Sequence, residues 1–224
     1  DLEVEIVKAV YGKELTEQEK ECLFDSKTYS QYYGRTVLPG EIGCTLSHRD
    51  CYKRLLDSGR QFALILEDDL HFQVDSFDKD FWTAVEKLMD TEKPLALLLH
   101  TDISYMRKEQ FFYKNYVLYQ VYSAVFATGY FINKNAARLM LQKKRSYWIA
   151  DDWFRFRQWG LNILCIYPSV IVQQCDKFTS SILEEKRPAN KRWFPHSWIE
   201  CRLAYEKIIY LVLKRLRIIK HIRG

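Results

Sequence analysis

Three consecutive carboxylates, Glu67-Asp68-Asp69, stand directly after the apolar run Phe62-Ala63-Leu64-Ile65-Leu66. Side by side they repel one another and lose solvation, and a divalent cation with oxygen ligands compensates both costs. Mn²⁺ or Mg²⁺ suits a donor set of Asp69, Asp68 and Glu67. Such a metal would bridge a diphosphate and neutralise the charge that develops as it leaves. A solvated acidic turn is the plain alternative. A second acidic pair, Asp151-Asp152, precedes an amphipathic stretch. A helix N-cap explains such a pair, and an ionised carboxylate is also the group that takes a proton from a sugar hydroxyl attacking an anomeric carbon. Ser47-His48 add a hydroxyl and an imidazole, although no Ser-His-Asp pattern can be read from the spacing. Neither G-x-G-x-x-G nor G-x-x-x-x-G-K-[ST] occurs in the chain, which weakens dehydrogenase and kinase readings.

These residues need elements to hold them. Apolar positions at helical spacing from Ile42 to Leu56 end at Ser58-Gly59, and the strand Phe62 to Leu66 follows. This α/β unit puts Glu67-Asp68-Asp69 at a strand's carboxyl end, where open α/β sheets bind ligands. Helices are predicted from Thr16-Glu17-Gln18-Glu19, over Asp78 to Met89, Asn135 to Lys143 and Trp153 to Trp159. Strands are predicted at Leu95 to Leu99, between Phe111 and Phe131, and at Asn162 to Tyr167. The segment Tyr29 to Gly40 reads as loop, and Glu184 to Arg192 as a charged flexible segment. The fold class expected is α/β, with a mixed, mostly parallel sheet flanked by helices.

A chain of 224 residues with 48% hydrophobic residues can bury one core. Its 15 Tyr, 13 Phe and 6 Trp fill cores or line pockets that stack sugar and base faces. The net charge of +5 is spread along the chain except at the C-terminus, so no nucleic-acid partner is expected. Cysteines 22, 44, 51, 165, 175 and 201 form no C-x-x-C pair and read as reduced thiols of a cytosolic protein. No apolar run approaches the length of a membrane span.

From Ser197-Trp198-Ile199-Glu200, which fits a capping box, a helix is predicted to run to about His221. Tyr205, Ile208, Ile209, Val212, Leu216 and Ile219 give it one apolar face, and no acid follows Glu206. With Lys207, Lys214, Arg215, Arg217, Lys220 and Arg223 uncompensated, the segment fits an anionic membrane surface; a helix docked on the core is the alternative. The division expected is therefore 1–195 as a catalytic domain and 196–224 as a basic amphipathic helix.

Several segments together resemble glycosyltransferase family 25, the bacterial lipooligosaccharide galactosyltransferases and their relatives. Gly40-Glu41-Ile42-Gly43-Cys44-Thr45-Leu46-Ser47-His48 is similar to that family's G-E-x-G-C-x-x-S-H block, and Leu64 to Asp69 to its strand and metal motif. Thr128-Gly129-Tyr130-Phe131-Ile132, Ala150-Asp151-Asp152, and Pro168 to Gln173 followed by Ser180-Ser181-Ile182 resemble three further blocks. The resemblance implies a GT-A type fold, a UDP-sugar donor and inverting transfer, usually of galactose, onto a lipid-linked oligosaccharide. It implies that Ser47, His48, Glu67, Asp68, Gly129, Tyr130 and Gln173 line the donor site. Asp152 is then in register as the base, with Asp151, at a position usually apolar, as the second candidate. The family opens with a strand, V-I-S-L, then paired arginines; this chain starts at Asp1, downstream of that unit, and an unresolved or removed segment is expected to carry it. The resemblance places the protein in the bacterial cytoplasm, peripheral to the inner membrane. UDP-glucose or a UDP-amino sugar as donor, and a non-catalytic membrane-peripheral protein, remain the alternatives.

Overall fold

A computed structural model describes residues 3–74, 77–173 and 198–222. The capping box at Thr16 opens α1 (Glu17–Leu23), with the Glu19 side chain accepting from the Thr16 amide at 2.9 Å. The stretch expected as loop from Tyr29 overlaps α2 (Ser26–Tyr33), capped by Asp25. Its tyrosines pack inward, Tyr29 being fully buried, and this packing overrides their weak helix propensity. Next come α3 (Pro39–Asp57), β1 (Phe62–Leu66), β2 (Leu70–Phe72) and α4 (Lys79–Met89), capped by Asp78. Then follow β3 (Leu95–Leu98), β4 (Ile103–Tyr113), β5 (Tyr116–Ala124), β6 (Gly129–Asn133), α5 (Lys134–Leu141), α6 (Trp153–Gln158), β7 (Asn162–Tyr167) and β8 (Ile171–Gln173). The elements α7 (Trp198–Arg215) and β9 (Ile219–Ile222) complete the described chain.

Seven strands form one sheet in the order β1-β6-β3-β7-β5-β4-β9, and β2 pairs with β8 in a small second sheet. The large sheet is mixed and flanked by helices, as expected, but it is not mostly parallel. Only β3 and β7 run parallel; every other pairing in it is antiparallel. At one end β6 inserts antiparallel between β1 and β3, with Tyr130 opposite both Ile65 and Leu98, and at the other β5 runs antiparallel to β7 and leads the antiparallel series β5-β4-β9.

Successive side chains on a strand point to opposite faces, and here both faces are covered. Ala96, Leu98, Tyr130, Ile132, Ile163 and Cys165 pack with residues of α3, α5 and α6 on one side. Leu95, Leu97, Leu99, Phe131, Leu164 and Ile166 pack with Phe81, Val85 and Met89 of α4 on the other. A three-layer α/β/α core results. It holds the loops after β1 and β3, and the one before β6, along the same edge of the sheet: Glu67 N–H donates to Thr128 O at 2.9 Å and Leu99 N–H to Gly129 O at 3.1 Å.

The C-terminal helix ends earlier than its apolar periodicity predicts. Arg217 adopts a left-handed conformation (φ 58°), and Ile218 N–H closes the helix on Leu213 O at 3.0 Å. The chain then joins the sheet as edge strand β9, pairing Ile219 with Met106 and Ile222 with Ile103. The expected boundary at 195/196, Ser197, the segment Glu184 to Arg192 and Ser180-Ser181-Ile182 lie outside the described residues.

Candidate functional site

The carboxylates after β1 diverge, because a tight turn follows the strand. Glu67 points toward α3, where its Oε1 accepts from His48 Nε2 at 3.1 Å and lies 3.9 Å from Cys44 Sγ. Asp69 turns toward β8, where its Oδ2 accepts from Gln173 Nε2 at 2.7 Å. Asp68 is exposed between them. Burial, reinforced by the charges of Glu67 and Asp68, raises the Asp69 pKa, and the Gln173 amide opposes that rise.

Behind Glu67 runs a buried hydrogen-bond chain. A carboxylate only accepts, so His48 carries its proton on Nε2 and its Nδ1 accepts from Tyr130 Oη at 2.7 Å. The Tyr130 oxygen in turn accepts from Tyr52 Oη at 2.7 Å. Tyr130 is fully buried, so it supports the site from behind and does not line it. Its neighbour Gly129 is closely packed: a Cβ there would stand 2.4 Å from Ile171 Cδ1, so that side chain would have to shift.

Ser47 lies one residue before His48 in α3 yet is engaged elsewhere. Its Oγ accepts from Val10 N–H at 2.8 Å and donates to Gly43 O at 2.9 Å. Gly43 lets that N-terminal segment approach, since a Cβ would sit 2.4 Å from Val10 O. Glu41, in the same block, is buried and takes two 2.9 Å bonds from Arg35 and one from Leu38 N–H, also 2.9 Å. Much of this block thus builds the N-terminal turn of α3, leaving Cys44 and His48 to face Glu67.

The paired aspartates separate. Asp152 caps α6, accepting from Arg155 N–H at 3.2 Å; it also accepts from Tyr33 Oη and stands 3.8 Å from Arg155 Nε. Asp151 has no side-chain partner among the described residues. Its pKa is raised by burial and by the charges of Asp152, Glu67 and Glu41. The same site acidity acts on Cys44, whose thiol is pushed far up by burial and by Glu67, Asp151 and Asp69. Glu67 and Asp151 therefore belong to one electrostatic cluster, while the Asp152 carboxylate is committed to α2 and α6.

Sequence reasoning missed His100 and Thr128. His100 stands two residues after β3, at the sheet edge where Glu67 follows β1, and that placement was the available signal. Its Nε2 donates to Val125 O at 2.7 Å, and burial lowers its pKa. Four buried polar atoms around this sheet edge have no hydrogen-bond partner among the described residues: Asp69 Oδ1, His100 Nδ1, Thr128 Oγ1 and Gln173 Oε1. Buried polar atoms are normally satisfied, so a cluster of orphans marks a place for a polar ligand.

Two donor sets bear on a metal. Cys44 Sγ, His48 Nε2 and a Glu67 oxygen lie within 4.8 Å of one another, the one such three-residue group among the described residues. That mixed set suits a soft cation, but the thiol is held protonated and the imidazole proton is directed at Glu67. For Mn²⁺ or Mg²⁺ the fitting donors are the unpartnered Asp69 Oδ1 and the exposed Asp68 carboxylate, both hard oxygens.

The family model described as "Glycosyltransferase family 25 (LPS biosynthesis protein)" matches residues 1–154, more than half of the chain. The chain belongs to glycosyltransferase family 25. The α/β/α core is consistent with a GT-A-like fold. Among curated relatives, procollagen galactosyltransferase 1 of Danio rerio is 39% identical over 77 residues, 33% of this chain and 13% of that protein. Procollagen galactosyltransferase 2 of Homo sapiens is 34% identical over 93 residues, 40% of this chain and 14% of the relative. Inactive glycosyltransferase 25 family member 3 of Homo sapiens is 33% identical over 79 residues, 35% of this chain and 12% of the relative. The matched stretches are thus about an eighth of the curated relatives' length, and these relatives include a protein named as inactive.

Proposed function

We propose that the protein transfers a hexose, galactose from UDP-galactose, with inversion onto a lipooligosaccharide or lipopolysaccharide acceptor sugar. The observation that carries this reading is the sheet edge after β1 and β3, where carboxylates stand beside four unpartnered buried polar atoms in a glycosyltransferase family 25 chain. The names of the galactosyltransferase relatives favour galactose, and the family description favours a lipopolysaccharide acceptor. Such an acceptor would draw the enzyme to the cytoplasmic side of a bacterial inner membrane as a peripheral protein.

Asp151 is the base in this proposal, in place of Asp152. The acceptor hydroxyl attacks the donor's anomeric carbon, its proton passes to the Asp151 carboxylate, and the bond from that carbon to the diphosphate breaks with the electron pair leaving on UDP. Burial raises the pKa of both aspartates, but Asp152 is held by Tyr33 and Arg155, whereas the Asp151 carboxylate makes no hydrogen bond to another side chain among the described residues and so is the freer base. Asp69 and Asp68 would hold Mn²⁺ or Mg²⁺, which supplies charge neutralisation for the leaving diphosphate. Gln173 orients Asp69, while His48, backed by Tyr130 and Tyr52, fixes Glu67. His100 and Thr128 offer polar groups to the donor.

The test is turnover of UDP-galactose, UDP-glucose and UDP-N-acetylglucosamine, with truncated lipooligosaccharide and a procollagen peptide as separate acceptors. Galactose transfer to the lipooligosaccharide alone is the expected result. Preference for another donor or for the peptide would replace the donor or acceptor named here, and no transfer from any donor would overturn the catalytic reading.

A further inference from the structure

The helix α7 carries an apolar side that the rest of the described fold does not cover. It meets the domain along one line. Glu206 accepts from Arg155 Nη1 at 2.6 Å, the Arg202 guanidinium lies 4.0 Å from the Tyr32 ring centroid, and Tyr210 Oη is 3.1 Å from Ser104 Oγ. Tyr205, Ile208, Val212 and, one residue past the helix, Leu216 fall on one arc away from that line at 3.6 residues per turn, and Trp198 stands at the arc's edge, where the Arg202 guanidinium lies 5.7 Å from its ring centroid. All five are exposed, Trp198 at 76% and Leu216 at 62%. An apolar stripe of this length with no cover among the described residues marks an interaction surface.

The charges beside the stripe say what would cover it. From Lys207 to Gly224 the sequence contains no Asp or Glu. Lys207, Lys214, Arg215, Arg217 and Lys220 are all exposed. Lys214, Arg217, Lys220 and His221 line one open cleft with Tyr105 and Ile219; the acid in contact is Asp102, whose Oδ1 stands 3.5 Å from His221 Nε2. Arg217 occupies a left-handed position that glycine takes most readily, so the turn that places these cations is held against a local preference. Pairing of β9 with β4 fixes this turn to the sheet, so the basic cleft and the apolar stripe keep a constant relation.

We propose that α7 and the turn after it dock the protein onto an anionic lipid bilayer. The stripe enters the interfacial region with Trp198 and Tyr205 among its aromatic groups, and the basic cleft receives headgroup phosphates. No helix among the described residues is long and apolar enough to cross a membrane, so α7 lies on the surface. A second copy of the chain fits less well, because a two-fold contact over this face would set cations against cations. The docking reads no sugar chemistry, so its success or failure is independent of the transfer reaction.

The experiment is co-sedimentation of the full chain with vesicles of phosphatidylglycerol and phosphatidylcholine, against phosphatidylcholine alone, at low and high salt. Substitution is preferred to truncation because deletion after Lys207 would remove β9 from the sheet. Binding to the anionic vesicles alone, weakened by salt, is expected. The Lys214→Gln/Arg217→Gln/Lys220→Gln variant should bind about 100-fold more weakly, from the loss of three cations at an anionic surface. Ile208→Ser/Leu216→Ser should lose binding while circular dichroism and melting match the parent. If either variant misfolds, quenching of tryptophan emission by brominated lipid, lost in Trp198→Phe, supplies the second reading. Equal binding to both vesicle types, no binding at low salt, or a dimer in sedimentation equilibrium that Ile208→Ser/Leu216→Ser dissociates would each overturn the proposal.

Discussion

His48 and Glu67 meet at 3.1 Å between α3 and the end of β1, and through Tyr130 and Tyr52 this contact is anchored in the core. The contact explains why an imidazole from one element and a carboxylate from the next can share one site. His48 is buried, whereas Glu67 keeps 26% of its side-chain surface in solvent. The histidine therefore serves as a support, and the glutamate presents its free oxygen to the site edge.

Removal of the Tyr130 hydroxyl tests that support. Tyr130→Phe leaves His48 Nδ1 and the Tyr52 hydroxyl without partners, which should cost about 1–3 kcal/mol of stability. If Glu67 acts in transfer, kcat should fall while the KM for donor changes little. Chemical denaturation with steady-state kinetics checks both, and a stability loss with unchanged kcat would confine the chain to a structural role.

Asp151 and Asp152 should separate by experiment as they do in space. Asp151→Asn is expected to keep the fold and lower kcat by about 10²-fold or more, the scale for losing a general base. Asp152→Asn retains a good N-cap and should stay within a few-fold of wild type, while Asp152→Ala should lose about 0.5–2 kcal/mol from the cap and leave Tyr33 unpaired. The reverse order in kcat would return the base to Asp152.

The raised pKa values of Asp151 and Asp69 have an unusual sign for stability. Between the unfolded carboxylate value and the higher folded one, the native state binds more protons than the unfolded state. These two groups therefore lower stability as pH rises through that window, the reverse of an ion-paired acid. Asp151→Asn should stabilise the metal-free protein more at pH 7 than at pH 4. Urea denaturation in chelator at both pH values measures the difference, and an equal effect at the two would deny the burial of this carboxyl.

Ser47→Ala should cost about 1 kcal/mol by freeing the Val10 amide, and leave UDP affinity unchanged. Calorimetric titration with UDP alongside melting separates this anchoring from a direct donor contact.

The apolar run into Glu67-Asp68-Asp69 announced the strand, the turn and the sheet edge, because a buried strand and three acids leave few other arrangements. Strand direction was not legible. Runs such as Leu95 to Leu98 and Gly129 to Asn133 are buried on both faces whichever way they point, so the antiparallel insertion of β6 left no mark in hydropathy. The same insertion turns Tyr130 inward, and its role as support depends on a pairing with Ile65 and Leu98 that lies far away in sequence. At the C-terminus, helical spacing continued past Arg217, but a left-handed residue ended the helix and the β-branched residues Ile219 and Ile222 joined the sheet. The division of labour between Asp151 and Asp152 was likewise hidden, since it rests on Tyr33 from a helix that the sequence presented as a loop.

The central claim, a donor site that uses a cation at Asp69 and Asp68, is tested most directly by thermal melting with UDP and Mn²⁺. At a hundredfold excess over Kd, binding adds about 2.7 kcal/mol to stability. For a domain of this size that corresponds to roughly 5–10 °C. The wild-type protein should show this rise with UDP and Mn²⁺ together, and a smaller one with either alone. Asp69→Asn should melt as a folded protein with no response to Mn²⁺. An unchanged melting temperature of the wild type in saturating UDP and Mn²⁺ would contradict the account and align the chain with the inactive members of its family.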